Sequence, residues 1–177
     1  FETDLTNWTQ TTNNGAIASM SITPSQAQNG MQSAMILVNT LGSTNGSIQL
    51  TSCKTDVLKD SIYYLSFWMK GSANNLEFNA ITSFSSPPYT ALSANSFTTY
   101  DQWTEYCYTF SHDSTILDDI RLLKLQFLDA GTYYLDYVNV YGSDYICLPA
   151  NINHKLASDI NVFPNPNSGI LSVNNLN

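Results

Sequence analysis

Short runs of alternating apolar and polar residues recur along most of the chain. In the run 63–70 every second residue is large and apolar, which predicts a β-strand with one face in the core. That face comprises Tyr63, Leu65, Phe67 and Met69. The segments predicted as strands are 16–22, 33–38, 47–53, 62–69, 76–84, 104–110, 122–128 and 133–141.

Turn residues separate these segments at even intervals. Asn and Gly, which tolerate positive φ, occupy 13–15, 28–30, 43–46, 71–75 and 129–131. No long helical period competes with the strand pattern. The sequence therefore predicts an all-β fold, a jelly-roll β-sandwich of about eight or more antiparallel strands.

The charge balance narrows the range of partners. Only 11% of residues are charged, and 14 acidic against 6 basic residues give a net charge of −8. Such a chain repels phosphate backbones and anionic lipid surfaces, so we expect neither a nucleic acid nor a membrane as partner. The neutral polar surface suits a hydroxyl-rich ligand, and the carboxylates suit a hard cation such as calcium.

The chain has three cysteines, Cys53, Cys107 and Cys147, without the spacing of a metal site. Cys53 and Cys107 both lie in predicted strands, and in an oxidising compartment we expect them to form a disulfide. The alternative is that both are buried free thiols. Cys147 has no predicted partner.

The pattern changes after Tyr141. We expect a main domain over 1–142, a linker over 143–158, and the start of a second, truncated domain over 159–177. The string from Val162 to Gly169, with its Pro-Asn-Pro turn, resembles the opening of the C-terminal sorting domain of the type IX secretion system. The resemblance implies a protein secreted by, or on the surface of, a Gram-negative bacterium. Alternatively, the string is a rigid interdomain turn.

Residues 1–141 resemble the jelly-roll carbohydrate-binding modules of families 4, 9 and 22. The matching features are Phe1-Glu2 followed by Trp8, the loop and strand from Gln28 to Ala34, the strand from Tyr63 to Lys70, Trp103 with Tyr106, and the strand from Tyr134 to Val138. The resemblance implies a non-catalytic, monomeric domain whose partner is an oligosaccharide or polysaccharide, joined to a catalytic domain in a longer parent chain.

The same resemblance implies a structural calcium ion held by Glu2 and Asp136, where the first and last strands meet. Backbone carbonyls at 29–31 would complete the shell, and Asp4 is a substitute ligand. Alternatively, Glu2 caps a turn and Asp136 accepts backbone hydrogen bonds without a metal.

Sugar rings stack on aromatic planes, and their hydroxyls pair with amides, carboxylates and ammonium groups. Such side chains follow the polar faces of the predicted strands, and we expect them to form one binding platform. Its predicted members are Tyr64, Trp68, Glu77, Asn79, Tyr89, Glu105, Lys124 and Gln126, with Gln49 and Tyr100 as further candidates.

The predicted function is the binding of a plant-type polysaccharide, either xylan or β-glucan, so that a secreted glycoside hydrolase is targeted to it. One alternative is a structural or adhesin domain with the same fold and no sugar site. Another is a small hydrolase in which Glu77 and Glu105 form a carboxylate pair, which would require a separation of roughly 5 to 9.5 Å.

Overall fold

The computed structural model describes residues 4–58, 60–112 and 120–142, together with the strands Asn161–Pro164 and Leu171–Asn174. The secondary-structure elements assigned within these residues are all β-strands. A membrane-spanning helix is absent from this described part of the chain. The chain divides into two compact units, Phe1–Cys147 and Leu148–Asn177.

The first unit contains eleven of the strands. In chain order they are β1 (Trp8–Thr12), β2 (Ile17–Thr23), β3 (Ser33–Thr40), β4 (Ile48–Ser52), β5 (Lys54–Thr55), β6 (Ser61–Gly71), β7 (Glu77–Phe84), β8 (Ala91–Thr98), β9 (Thr104–His112), β10 (Ile120–Phe127) and β11 (Gly131–Tyr141). They form two antiparallel sheets. Sheet A has the order β1-β4-β10-β7-β8, with β5 beside β10, and sheet B has the order β2-β3-β11-β6-β9. The predicted all-β sandwich is confirmed.

Aromatic rings from the inner faces of both sheets fill the core. Phe67 and Tyr106 of sheet B contact Phe78 and Phe97 of sheet A, with ring centroids 5.3 to 6.4 Å apart. Burying a phenylalanine of this kind contributes about 1.5–3 kcal/mol, so this cluster is a main source of the attraction between the sheets.

Two buried tyrosine hydroxyls at the interface between the sheets are hydrogen-bonded. The Tyr108 hydroxyl of sheet B lies 3.0 Å from the Thr82 hydroxyl of sheet A. The Tyr106 hydroxyl donates to the Thr98 carbonyl at 2.8 Å. Burial raises the pKa of both phenols, which therefore stay neutral hydrogen-bonding groups.

Three strands, β1, β5 and β8, were not predicted from the sequence. β1 reads Trp-Thr-Gln-Thr-Thr and β8 is rich in Ser, Ala and Asn, so neither shows a clear apolar alternation. Both lie at the edges of sheet A, where one side of the strand has no neighbour in the sheet. The predicted strands are all present, with ends that differ by at most two residues.

The second unit contains an antiparallel strand pair, β12 (Asn161–Pro164) and β13 (Leu171–Asn174). The register joins Val162 to Val173 and Pro164 to Leu171. The turn between the two strands, the predicted linker 143–158 and the C-terminal 175–177 lie outside the described residues.

Candidate functional site

The predicted binding platform is divided between two opposite surfaces of the sandwich. Glu77, Asn79, Lys124 and Gln126 alternate with buried core residues on β7 and β10, so they lie on the outer face of sheet A. Tyr64, Trp68 and Glu105 alternate with core residues on β6 and β9, so they lie on the outer face of sheet B. The prediction of one platform is therefore wrong, because alternation identifies the outer face of each strand but not the sheet to which the strand belongs.

On sheet A, neutral polar residues form a row across five strands. Strand pairing sets Thr11 beside Gln49, Gln49 beside Gln126, Gln126 beside Asn79, and Asn79 beside Ser96. The Ser96 hydroxyl donates to the Asn79 amide oxygen at 2.7 Å. The Gln49 amide donates to the Gly46 carbonyl at 2.8 Å. The row thus presents amide and hydroxyl groups that their neighbours hold in place.

A second row, one pleat further along, runs through Thr9, Thr51, Lys124 and Ile81. At this row the outer face of sheet A bears a groove of about 360 Å³, which we call the sheet A groove. It is lined by Thr9, Thr11, Gln49, Thr51, Phe84, Ser85, Tyr89, Arg121 and Lys124. The structure therefore brings together three of the predicted site residues, Gln49, Tyr89 and Lys124.

Tyr89 reaches the sheet A groove from the loop between β7 and β8. The loop carries a cis Pro87–Pro88 bond, and Tyr89 has φ of +56° with 55% of its surface exposed. Its backbone N–H donates to the Ser86 carbonyl at 2.8 Å, which closes the turn. An exposed aromatic ring at the edge of a polar groove is an arrangement that suits stacking on a sugar ring.

The remaining sheet A candidates lie outside this groove. Glu77 is exposed on the same face, but it lies four residues before Ile81 on β7. Because four residues of a strand span about 13 Å, Glu77 is about that far from the row of Lys124 and Ile81. Asn79 and Gln126 lie between the two positions, in the row described above. Tyr100, which follows β8, is not among the groove residues.

Arg121 and Lys124 are the two cations of the sheet A groove. The Arg121 guanidinium donates to the Ser52 carbonyl through Nη1 at 2.7 Å. Burial lowers the pKa of the Lys124 ammonium below its ordinary value, and the Arg121 charge lowers it further. No Asp or Glu is among the described residues that line the groove.

The outer face of sheet B is partly covered by the loop between β2 and β3. The Lys70 ammonium donates to the Gln26 side-chain oxygen at 2.9 Å, and the Ser33 hydroxyl donates to the Gln26 carbonyl. Trp68 lies in this region, because it precedes Lys70 by two residues on β6 and pairs with Asp136 and Glu105 across the sheet. Tyr64 pairs with Tyr141 and Thr109. These residues do not form an open groove with the sheet A candidates.

The position of the two predicted acids rules out the carboxylate pair considered for a hydrolase. Glu77 points away from the core on sheet A, and Glu105 does so on sheet B. Stacked sheets lie about 10 Å apart, and both side chains extend outward from them. Glu77 and Glu105 are thus too far apart to act on one glycosidic bond.

Asp136 occupies a buried position beside the loop between β2 and β3. Its Oδ2 accepts hydrogen bonds from the backbone N–H groups of Gln28, at 2.9 Å, and Asn29, at 3.0 Å. Its Oδ1 accepts one from Tyr137 N–H at 2.8 Å. The side chain therefore ties β11 to the loop directly. Within the described residues no cluster of three His, Cys, Asp or Glu exists, and Glu2 lies outside them.

A second and larger cleft, of about 500 Å³, lies beside Asp136. Its lining includes Trp8, Leu122, Tyr137 and Val140, with Asn29 and Gly30 of the loop. Asp136, the carboxylate in this lining, already accepts three backbone hydrogen bonds. The sheet A groove is the better candidate because its polar side chains are aligned on rigid, paired strands.

The predicted disulfide between Cys53 and Cys107 is wrong. Cys53 is a free, exposed thiol next to the end of β4 in sheet A. Cys107 is disulfide-bonded, and it lies on β9 in sheet B. Cys53 and Cys107 are therefore in different sheets, and two cysteines whose side chains do not meet cannot form a disulfide. Cys147 lies outside the described residues.

The sequence did not reveal Thr9, Thr11, Thr51, Ser85 and Arg121 as groove residues. Thr51 has the same parity as Gln49 on β4, so alternation was a usable signal for it. Thr9 and Thr11 belong to an unpredicted strand. Arg121 precedes the predicted strand 122–128, and an irregularity in β10 determines its direction.

Comparison with solved structures identifies related folds. A structure titled "CBM4 structure and function" aligns with a TM-score of 0.65 and 19% identity, covering 79% of this chain and 92% of the other. The CBM22-1 xylan-binding domain from Paenibacillus barcinonensis Xyn10C aligns with a TM-score of 0.59 and 17% identity, covering 82% and 92%. The C-terminal family 22 carbohydrate-binding module of Clostridium thermocellum Xyn10B aligns with a TM-score of 0.58 and 13% identity, also covering 82% and 92%. At these identities the similarity establishes the fold.

No curated protein matches the chain. The family model described as "Carbohydrate binding domain", of the family 4 and 9 type, matches residues 1–122. This match spans more than half of the 177 residues and includes β1 to β9. The chain therefore belongs to the carbohydrate-binding domain family.

Proposed function

We propose that this chain binds a plant-type polysaccharide, either xylan or β-glucan, in the sheet A groove. The observation that carries the proposal is the alignment of Gln49, Thr51 and Lys124 on one face of two paired strands, β4 and β10, with the Tyr89 ring at the edge. Amides, hydroxyls and an ammonium group on rigid strands match sugar hydroxyls, and the ring offers a stacking surface. The xylan-binding title of a structural relative supports xylan as the first ligand to test.

The test is affinity electrophoresis against xylan, mixed-linkage β-glucan, mannan and cellulose, with Tyr89→Asn as the site variant. Asn tolerates the positive φ of position 89, so the variant removes the ring without straining the turn. We expect about a tenfold loss of affinity, close to 1.4 kcal/mol, because one stacking contact is lost.

Tyr137→Asn is a matched control. Tyr137 is also exposed and has φ of +48°, but it lines the larger cleft beside Asp136. We expect its affinity to stay within about twofold of the wild type, less than 0.5 kcal/mol. Loss of binding in Tyr137→Asn or Trp68→Ala, with Tyr89→Asn unchanged, would move the site away from the sheet A groove. If no glycan retards the wild type, the adhesin alternative replaces the proposal.

We also propose that the parent protein is secreted and that this domain directs a glycoside hydrolase to its polysaccharide. The disulfide at Cys107 supports export, because structural disulfides persist in oxidising compartments. The strand pair β12–β13 supports a second domain of the type IX sorting kind. Fractionation of the source cells with an antibody against this chain tests the proposal. Detection in the cytoplasm alone would overturn it.

A structural calcium ion is part of the same proposal. Asp136 is the described residue that would contribute a ligand, because its Oδ1 accepts a single hydrogen bond and keeps a lone pair. When bound, the ion would join the carboxylate to other oxygen ligands and so stabilise the fold. A fall in melting temperature after EDTA treatment, restored by CaCl₂, would support calcium. An unchanged melting temperature would leave Asp136 with its hydrogen-bonding role alone.

A further inference from the structure

Arg121 and Lys124 both point to the outer face of sheet A, although they are three residues apart. In a regular strand such residues face opposite sides. Here the pairing register of β10 shifts between them, so that Arg121 pairs with Ser83 and Lys124 with Ile81, two residues apart on β7. Leu122 and Leu123 thus stand opposite the single residue Thr82. This bulge turns both cations into the sheet A groove, and bulges commonly redirect side chains next to sites.

The two cations have no anionic partner among the described residues of the groove. The Lys124 side chain is half-buried, and no hydrogen bond or ion pair joins its ammonium group to any described residue. Arg121 uses Nη1 for the Ser52 carbonyl and keeps its other N–H groups. Burying an unpaired charge beside a like charge destabilises the unbound protein. This arrangement is unexpected in a chain with 14 acidic and 6 basic residues, and a bound anion would relieve it.

The groove offers further polar groups beside the cations. The Ser85 hydroxyl is buried and has no hydrogen-bond partner among the described residues. Tyr89 stands next to it in the same lining, with an exposed ring. A volume of about 360 Å³ lies within the range of small-ligand pockets. The site can therefore hold a sugar unit against Tyr89 and its acidic substituent against the cations.

We infer that the sheet A groove selects an acidic polysaccharide, with Arg121 and Lys124 binding a carboxylate or sulfate group on the sugar. The inference rests on the proposed function and specifies its ligand. The guanidinium suits a planar oxyanion in a bidentate geometry, and the ammonium adds a point charge. Screening confines the repulsion between the net charge of −8 and a polyanion to about 8 Å at physiological ionic strength, so acidic groups farther from the groove oppose binding only weakly. At contact distance the attraction between the acidic group and the two cations, Arg121 and Lys124, is the larger effect.

The ligand comparison uses one polymer in two charge states. Isothermal titration calorimetry of the full chain compares glucuronoxylan with the same xylan after reduction of its uronic-acid carboxyl groups to alcohols. A sulfated galactan and its desulfated product form the second pair and distinguish a sulfate from a carboxylate ligand. We expect about fivefold to tenfold tighter binding of one charged polymer than of its neutral counterpart at low salt, and a smaller difference at 300 mM NaCl, because screening weakens charge pairing.

Lys124→Met is the site variant, since it keeps the length of the side chain and removes its charge. It should abolish the preference for the charged polymer, so that the affinity falls more for that polymer than for its neutral counterpart, whereas Lys124→Arg should retain the preference. The melting temperature of Lys124→Met should equal or exceed that of the wild type, because an unpaired half-buried charge is removed. Lys70→Met, on sheet B, is the matched control and should retain the preference.

Equal affinity for charged and neutral polymers, or an equal loss for both in Lys124→Met, would overturn the inference. In either case binding of the neutral polymer would leave the proposed function intact. If neither member of either pair binds, nor any neutral glycan, the proposed function fails and the inference fails with it.

Discussion

Asp136 stabilises the fold through a single buried carboxylate. The side chain is 4% exposed and accepts three backbone N–H groups, two of them from a loop more than one hundred residues earlier in the chain. Each hydrogen bond to a charged acceptor contributes about 1.5–3 kcal/mol. An acid within an apolar strand could be recognised from the sequence. Its donors could not, because they depend on which loop the fold brings beside β11.

Asp136→Asn should therefore be strongly destabilising. The amide nitrogen that replaces one oxygen would leave at least one buried N–H donor facing another donor. We expect the free energy of unfolding to fall by about 2–4 kcal/mol, measured by urea denaturation. Asp101→Asn, at an exposed position, should change it by less than about 0.5 kcal/mol. Equal effects of the two variants would contradict the buried hydrogen-bonding role.

Gly71, at the end of β6, is required by the close approach of two neighbouring segments. A Cβ atom built there would lie 2.6 Å from the Ala73 carbonyl oxygen and 2.3 Å from the Thr99 hydroxyl. The Gly71 N–H also donates to the Tyr100 carbonyl at 2.8 Å, so the backbone cannot move away freely. In the sequence, this residue could be identified only as part of a turn signal.

Gly71→Ala should lower the free energy of unfolding by about 1–3 kcal/mol, since an added methyl group in a closed space displaces backbone. Thermal unfolding followed by circular dichroism measures the change. Gly142→Ala is the control, because a Cβ at that position meets no atom of the described residues within 4 Å. A loss in Gly142→Ala as large as that in Gly71→Ala would show that crowding at Gly71 is not the cause.

The strands show which properties of an element its sequence can determine. Alternation correctly predicted the core face of β6, for example Phe67 and Met69, because the side-chain period of a strand is two. It could not assign strands to sheets, since pairing in this fold joins strands that are distant in the sequence, such as β4 and β10. Nor could it predict the bulge that redirects Arg121, because a bulge changes the parity locally.

At the scale of the molecule, the sandwich separates two surfaces that the sequence could not tell apart. Gln49, Tyr89 and Lys124 converge on the sheet A groove, whereas Trp68 and Glu105 lie beyond the core on sheet B. The types of residue expected for sugar binding were therefore identifiable from the sequence, and three of those positions meet. The composition of the actual groove depended on one edge strand, β1, and on one loop, which only the fold brings together with β4 and β10.

The cysteines provide a test of the whole molecule and of the compartment in which it folds. Since Cys53 is free and Cys107 is disulfide-bonded, the native, unreduced chain should present about one reactive thiol, and the reduced, unfolded chain should present all three. Cys53→Ser should remove the native thiol, measured with a chromogenic disulfide reagent. Reduction should lower the free energy of unfolding by about 2–4 kcal/mol, because the unfolded chain gains freedom.

A different thiol count would contradict this assignment. If Cys53→Ser leaves the native count unchanged, Cys53 is not the reactive thiol, and if the count rises, Cys53 was disulfide-bonded and its partner has been released. If reduction leaves the stability unchanged, the bond is dispensable and offers no support for export. A bond that stabilises the fold and is retained in protein isolated from its source would instead place folding in an oxidising compartment, because cytosolic reductants keep most thiols reduced. The thiol count thus bears on the fold and on secretion by independent measurements.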